Sequence, residues 1–208
     1  MGGQLLVFEM RIGFDLDNTI ICYDDCFAEL GKEILTDSNE KLFSKTTLKR
    51  YLHDLNRHED FTKIQGKAYG EYIHLAQIYD GFLPFLYELK LNGHECFIIS
   101  HKTKYPISGS KLNLHNASMN FLKQRDIVNQ KGIIETDVFF EQSIDKKIQK
   151  ISELKLDYFF DDLEKIFSHP LFPAYTKKYL FSPTELSATK LRTNVFKSWG
   201  ELSFRDIS

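Results

Sequence analysis

The stretch that decides the fold is Phe14-Asp15-Leu16-Asp17-Asn18-Thr19-Ile20. It completes a short apolar run over residues 11–16, the kind of run that forms a buried strand. The two acids then stand at the carboxyl end of that strand, the edge at which open parallel sheets bind their ligands. A plain turn, with Asp17 or Thr19 capping the next helix, would use the same residues, so the pair alone leaves both interpretations open.

Three more short apolar runs follow along the chain, and helical patterns separate them. The runs span residues 95–100, 157–160 and 178–181, and the helix candidates span 82–91, 114–127 and 143–154. This alternation predicts an α/β fold, a Rossmann-like parallel sheet flanked by helices. A terminal segment is expected to pack back on this core through Val195, Phe196, Trp199, Leu202 and Phe204.

Residues 23–79 are too many for a single crossover between parallel strands. They are mostly helical and charged in pattern, so they predict an inserted α-helical cap. The predicted domains are a core of residues 1–22 and 80–208 and a cap of residues 23–79. The cap is expected to end in one helix whose buried stripe is Ile64, Ala68, Tyr72, Leu75, Ala76 and Tyr79.

Composition narrows the function classes. The 208 residues are 42% hydrophobic and 14% aromatic, enough to bury a core without disulfides. With 27 basic and 29 acidic residues, the chain lacks the basic excess that nucleic acids and acidic membranes attract. No apolar stretch reaches a membrane span of about 20 residues, and Leu5 to Phe8 is too short for a signal peptide. Three cysteines at unremarkable spacing complete the expectation of a cytoplasmic protein, whose oligomeric state the sequence leaves open.

Polar groups also close the second and third strand runs. Ser100 follows the letters CFII, and Asp161 and Asp162 end the letters YFFDD. Adjacent acids commonly open a helix, which is the alternative for that pair. Four carboxylates at one sheet edge would repel by about 4 kcal/mol per pair at 4 Å and an effective dielectric constant near 20. A cation is therefore expected among them.

Two kinds of cation fit this edge of the predicted sheet. Hard oxygen ligands with room for water and phosphate oxygens are the setting that Mg²⁺ prefers. A lysine from the helix before the third strand run would add a second positive charge, with Lys147 favoured over Lys146. Taken alone, a lysine in the letters SIDKKIQKI is usually on a solvated helix face.

In their order along the chain, these features resemble the motifs of the haloacid-dehalogenase-like (HAD) superfamily of aspartate-nucleophile phosphohydrolases. Residues 15–19 match the first motif, Ser100 the second, Lys147 the third, and Asp161 with Asp162 the fourth. The likeness covers residues 10–182. The insertion is similar to the type-one cap of that superfamily.

The resemblance implies a phosphatase that works through an aspartyl phosphate. Asp15 would attack phosphorus, and Asp17 would protonate the leaving alcohol and later activate water. Ser100 would hydrogen-bond a phosphoryl oxygen, and Lys147 would offset the negative charge. The acid at position 17 favours a phosphatase over the superfamily's dehalogenases, which lack it.

The resemblance also implies a set of metal ligands. Mg²⁺ would be held by Asp15, the backbone carbonyl of Asp17, and Asp162. Asp161 would be either a further ligand or the group that orients a bound water.

The substrate is expected to be a small phosphomonoester, because a cap that closes must exclude water while admitting the whole ligand. The expected contacts are Ser100, His101 and Lys102 from the core and Gln65 and Tyr69 from the cap. Parts of the sequence resemble small phosphatases of surface-polysaccharide and sugar-phosphate metabolism, which implies a sugar-linked or nucleotide-sugar-linked phosphate. A 5′-nucleotidase, a phosphomutase and a noncatalytic phosphate-binding protein stay open as alternatives.

Overall fold

The computed structural model describes residues 9–34, 44–109, 111–183, 194–203 and 205. Its strands are β1 (Arg11–Phe14), β2 (Ile21–Cys22), β3 (Gln77–Ile78), β4 (Glu95–His101), β5 (Val138–Glu141), β6 (Tyr158–Asp161), β7 (Lys177–Phe181) and β8 (Asn194–Phe196). Six of them form one sheet in the order β5-β4-β1-β6-β7-β8, and every neighbouring pair in it is parallel. The predicted α/β parallel sheet is confirmed. The other two, β2 and β3, pair with each other in antiparallel fashion.

The helices are α1 (Asp24–Ile34), α2 (Lys45–Asp54), α3 (His58–Ala68), α4 (Phe82–Leu91), α5 (Leu114–Gln124), α6 (Ile144–Glu153) and α7 (Glu164–Phe167). Local side chains begin several of them. Ser143 accepts the Lys146 N–H at the start of α6, and Asn113 accepts two N–H groups at the start of α5. Within the described ranges, no helix has the length and apolar character needed to cross a membrane.

Helix α6 is anchored to the sheet by an apolar face. Ile148 and Ile151 are buried against a cluster that includes Phe97, Ile99 and Phe159. Burying each of these side chains fully contributes about 1.5–3 kcal/mol. Lys147 precedes Ile148 on the same face, so the packing that holds α6 also fixes the place of this lysine.

Close contacts divide the chain into two compact units. The first comprises residues 1–20, 79–101 and 127–208 and contains the six-stranded sheet. The second comprises residues 21–78 and 102–126 and contains α1, α2, α3 and α5. Residues 102–126, which were expected in the core, therefore cluster with most of the expected cap segment. The functional boundary between core and cap stays a prediction.

The expectation of one helix from Ile64 to Tyr79 is wrong. Helix α3 ends at Ala68, and a 3-10 helix (Ile73–Leu75) and β3 follow. The carbonyl of Lys67 accepts the N–H groups of both Gly70 and Tyr72, which closes the helix. Gly70 permits a close approach there, because a Cβ at this position would lie 2.8 Å from Leu112 Cδ2.

Two strands of the six-stranded sheet go beyond the four predicted runs. β5 lies at the sheet edge beside β4 and is half-buried throughout, although its letters VFFE begin with three apolar residues. β8 pairs with β7, and the side chains of Phe196 and Trp199 are buried, which confirms that the terminal segment packs on the core. The expected packing of Val195 is wrong, because this side chain at the sheet edge is exposed, and Leu202 is half-buried. Phe204 and the run from Leu5 to Phe8 lie outside the described residues.

Aromatic rings fill the space between β1, β6, α4 and the terminal segment. Trp199 is fully buried at the centre of this aromatic cluster, and its ring centroid lies 5.0–5.7 Å from six phenylalanine rings. Such pairs contribute about 0.5–1.5 kcal/mol each beyond the area that they bury. The six are Phe14, Phe82, Phe85, Phe160, Phe181 and Phe196.

Candidate active site

The sheet brings three of the predicted polar groups to one edge. β1 lies between β4 and β6, with Phe14 opposite both Ile98 and Phe160. The ladder continues one residue further, because the Asp15 N–H donates to the Phe160 carbonyl at 2.8 Å. Asp15 therefore leaves β1 where Asp161 ends β6, and Ser100 lies near the end of β4. The carboxyl edge of a parallel sheet is where such folds bind ligands.

Lys147 joins the acids of two strands. Its Nζ atom donates to Asp15 Oδ1 at 2.5 Å and to Asp161 Oδ2 at 2.6 Å. The lysine is 1% exposed, whereas Lys146 is exposed. Of the two candidate lysines, Lys147 is therefore the one at the site. Asp161 is held on its other side as well, since its Oδ1 accepts the Leu163 N–H at 2.8 Å.

Burial and neighbouring charges shift the pKa values of Asp15 and Lys147. It raises the pKa of Asp15 from 3.8 to about 7, with Lys147 opposing the rise and the charges of Asp161 and Asp17 adding to it. Burial also lowers the pKa of Lys147, but the charges of Asp15 and Asp161 outweigh that effect, so the net pKa is raised. The lysine stays an ammonium ion. This ammonium ion offsets part of the negative charge of Asp15 and Asp161.

Thr19 connects Asp15 to the third acid, Asp162. Its hydroxyl lies 3.3 Å from Asp15 Oδ2 and 3.4 Å from Asp162 Oδ1, and it accepts the Asp162 N–H at 3.0 Å. The single hydroxyl proton serves one carboxylate at a time. Sequence reasoning placed Thr19 in the motif without giving it this role.

The three acids fit a divalent cation. One oxygen each from Asp15, Asp161 and Asp162 lies within 4.8 Å of the others. Two oxygens on opposite sides of Mg²⁺ are about 4.2 Å apart, so small side-chain movements suffice. The donors are all carboxylate oxygens, the kind of ligand that Mg²⁺ prefers. We call Asp15, Asp161, Asp162 and Lys147 the acid cluster.

Ser100 carries a buried hydroxyl at the end of β4. It is fully buried, and its Oγ has no hydrogen-bond partner among the residues that the structure describes. Leaving a buried hydroxyl without a partner costs about 1–3 kcal/mol. An oxygen of a bound ligand would remove that cost.

Two other predicted residues of the first unit, Asp17 and His101, are close in sequence to residues at this edge. Asp17 is half-buried in the turn after β1, where Asn18 has a left-handed φ of 62°. His101 is exposed at the end of β4, and its partial burial and the Lys147 charge lower the pKa of its ring. A neutral imidazole at pH 7 would not add to the positive charge.

The remaining predicted contacts lie in the second unit and surround Tyr69. The Tyr69 hydroxyl accepts from Lys45 Nζ at 2.7 Å and from Gln65 Nε2 at 3.3 Å. The Lys102 ammonium lies 4.6 Å from the centre of the Tyr69 ring, a cation–π distance, and this lysine is 3% exposed. The Tyr23 ring lies 4.5 Å away. Lys45 had no sequence signal, because its contact depends on the packing of α2.

Comparison with known proteins places this fold among HAD hydrolases. No protein-family model and no curated protein matches the chain. A HAD hydrolase of family IA, variant 3, from Entamoeba histolytica is similar in structure, with a TM-score of 0.59, 12% identity, and coverage of 95% of this chain and 97% of the other. A predicted phosphoglycolate phosphatase from Haemophilus somnus is similar with a TM-score of 0.55 and 14% identity. The match covers 95% of this chain and 97% of the other.

The HAD-superfamily protein YfnB from Bacillus subtilis, solved bound to magnesium, gives a TM-score of 0.57, 12% identity, and coverage of 93% and 96%. These likenesses extend over nearly the whole chain in each case. The chain therefore has the fold of the HAD-superfamily hydrolases, which confirms the resemblance at the level of fold.

Proposed function

We propose that the protein is a Mg²⁺-dependent phosphatase that hydrolyses a small phosphomonoester through an aspartyl phosphate on Asp15. The observation that carries the proposal is the buried Lys147, which bridges Asp15 and Asp161 beside Asp162. Carboxylate oxygens of these three acids lie within 4.8 Å of one another, which is the kind of oxygen ligand set that Mg²⁺ prefers. The fold shared with HAD hydrolases, one of them a predicted phosphoglycolate phosphatase, supports the same activity.

Asp15 is the nucleophile in this mechanism. Lys147 binds Oδ1, while Oδ2 makes a long contact with the Thr19 hydroxyl, so we assign Oδ2 as the atom that attacks phosphorus. A bond forms between Oδ2 and phosphorus as the bond from phosphorus to the substrate oxygen breaks. The Lys147 charge favours the ionised form of Asp15 and offsets the charge of the phosphoryl group.

Asp17 moves the proton. It gives its proton to the departing alcohol oxygen and then takes one from the water that attacks the phosphorylated Asp15. Inorganic phosphate leaves and Asp15 is restored. The half-buried position of Asp17 in the turn after β1 supports this role, because both water and the leaving group need access to its carboxyl group.

Asp15, Asp162 and the backbone carbonyl of Asp17 would hold Mg²⁺. When bound, the ion supplies positive charge to the phosphoryl oxygens and to the acids. Asp161 is then the group that orients Lys147, since both of its carboxylate oxygens already accept hydrogen bonds. Ser100 donates its unpartnered hydroxyl to a phosphoryl oxygen.

The substrate class that we propose is a sugar phosphate or nucleotide-sugar-linked phosphate, and the setting is the synthesis of surface polysaccharide. The side chains around Tyr69 support this substrate class, namely those of Gln65, Lys45 and Lys102 together with Tyr69 itself. They combine an aromatic face with several hydrogen-bond donors, which suit a polar, hydroxyl-rich group. Lys102 follows Ser100 by two residues in the sequence, and His101 lies between them. We assign these side chains to recognition of the alcohol part of the substrate.

A panel of phosphomonoesters tests the proposal. Phosphate release is measured with sugar phosphates, nucleoside monophosphates and phosphorylated small alcohols, with Mg²⁺ and with a chelator. We expect Mg²⁺-dependent release that is fastest for sugar phosphates and absent in Asp15→Asn.

Each other outcome contradicts a stated part of the proposal. Preference for nucleotides would identify a 5′-nucleotidase and contradict the substrate class. Transfer of labelled phosphate to product without release would identify a phosphomutase. No turnover across the panel would contradict catalysis and favour a binding protein.

A further inference from the structure

Trp199, the single tryptophan of the chain, touches the loop that carries Asp15. It enters from the C-terminal 3-10 helix (Trp199–Glu201) and is fully buried. Its indole Nε1–H donates to the Thr19 carbonyl oxygen at 3.0 Å. This hydrogen bond joins residues 180 positions apart and gives a buried backbone carbonyl a neutral, directional partner.

Thr19 also contacts two acids, Asp15 and Asp162. Its backbone bonds to the indole, and its hydroxyl contacts Asp15 Oδ2 and accepts the N–H of Asp162. The position of one residue therefore sets the distance between two proposed metal ligands. Thr19 thus gives the indole a route of influence to both acids.

The surroundings of Trp199 leave the indole little freedom. Its ring packs on Phe14 and Phe160, the residues directly before Asp15 and Asp161. At the start of α4, Gly81 has a φ of 87°, and a Cβ there would lie 2.6 Å from the Gly200 N atom. The turn that carries Trp199 thus packs directly against Gly81, where a larger residue would clash with the backbone of Gly200.

We propose that Trp199 is a positioning residue for the phosphoryl-transfer site. Its N–H holds the Thr19 carbonyl, and through Thr19 it fixes Asp15 and Asp162 at the spacing that the metal and the attack on phosphorus need. Displacements of about 1 Å at such sites lower rates by on the order of a hundredfold. The kinetic part of this inference rests on the proposed phosphatase function, whereas its structural part does not.

The variant Trp199→Phe removes the N–H and keeps an aromatic ring. Its control is Phe85→Leu, which disturbs the same aromatic cluster without touching the Thr19 carbonyl. With the best substrate of the panel, we expect Trp199→Phe to lower kcat about tenfold, to leave KM within about twofold, and to raise the Mg²⁺ concentration for half-maximal rate. Phe85→Leu should lower the melting temperature by a comparable amount and keep kcat within about twofold.

Wild-type kcat in folded Trp199→Phe would overturn the inference. An equal fall of kcat in Phe85→Leu would do the same, because it would assign the effect to loss of packing. A rate that falls only through KM would point to substrate binding and contradict positioning.

Hydrogen exchange tests the structural part without metal or substrate. In metal-free protein, amides of residues 15–20 should exchange faster in Trp199→Phe than in wild type, while Phe85→Leu changes them less. Unchanged exchange in Trp199→Phe would contradict the inference even if the phosphatase function holds. Faster exchange in a protein that hydrolyses nothing would support positioning while contradicting the proposed function.

Discussion

The acid cluster and the aromatic cluster are built from adjacent residues of the same two strands. Phe14 precedes Asp15 at the end of β1, and Phe160 precedes Asp161 at the end of β6. On one side, rings pack around Trp199 and bury apolar area. On the other, three acids lie close together, two of them bonded to the Lys147 ammonium ion, and burial raises the pKa of Asp15.

The difference shows how stability and chemistry are divided. Burying rings is favourable in itself, whereas gathering acids opposes folding unless a cation joins them. The packed rings of Phe14 and Phe160 directly precede the acids Asp15 and Asp161 in the sequence, so ring packing fixes the backbone next to both acids. Substitutions on the two sides should therefore separate activity from stability.

The largest separation is expected for Asp15→Asn. The amide keeps the shape of the side chain but cannot form the aspartyl phosphate, so Mg²⁺-dependent phosphate release should fall by at least on the order of ten thousandfold. The melting temperature in metal-free buffer should stay the same or rise, because one of the crowded charges is gone. Initial rates and thermal unfolding measure both. The control Asp54→Asn alters an exposed acid and should change neither. Full activity in folded Asp15→Asn would rule out this residue as the nucleophile.

Lys147→Met should damage both activity and stability. Its ammonium is the cation between Asp15 and Asp161, so we expect a fall in kcat on the order of a thousandfold. Breaking a buried ion pair on one side costs about 3–5 kcal/mol of unfolding free energy, measured by denaturant titration.

The neighbouring Lys146→Met is the matched control for this variant. It changes an exposed lysine on the same helix and should behave as wild type. Equal effects of the two substitutions would show that the position of Lys147 does not matter.

Ser100→Ala should lower activity without lowering stability. The hydroxyl has no partner in the described part of the chain, so its removal should leave the melting temperature unchanged or slightly higher. Loss of its bond to the phosphoryl group should lower kcat/KM on the order of a hundredfold. Ser118 in α5 also has a buried hydroxyl without a partner among the described residues, and Ser118→Ala is the control. A rate loss in the control, or none in Ser100→Ala, would contradict the assignment.

The smallest expected effect is a change in Trp199 fluorescence, in the aromatic cluster, when Mg²⁺ binds to the acid cluster. Mg²⁺ binding to the acids should change the fluorescence of Trp199 slightly, because Thr19 contacts both the indole and two of the acids. The titration should saturate in wild type and be lost in Asp162→Asn. A raised melting temperature with Mg²⁺ but no change in emission would show that the two clusters are uncoupled.

Much of the sheet could be predicted from the sequence, because inner parallel strands are solid apolar runs. β1, β4, β6 and β7 lie in the four predicted runs. β5 at the edge was not predicted, although its letters VFFE begin with three apolar residues. The break after α3 was missed because an apolar stripe continues across it, and the close approach at Gly70 depends on a distant residue.

The acid cluster was predicted from its motifs, but its hydrogen bonds were not. Lys147 shares a face with Ile144, Ile148 and Ile151, a helical spacing that favours it over Lys146 from the sequence alone. The bond from Trp199 to Thr19 spans almost the whole chain and has no local signal. Contacts of that length follow from the tertiary packing of the terminal segment.

The central claim is that Asp15 becomes phosphorylated. The most direct test mixes the protein with p-nitrophenyl phosphate and Mg²⁺, quenches it with acid within the first turnovers, and maps the added mass by peptide mass spectrometry. We predict the mass of one phosphoryl group on the peptide that contains Asp15, with no such addition in Asp15→Asn or without Mg²⁺. Steady phosphate release with no modified Asp15, or with the phosphoryl group on another residue, would contradict the claim.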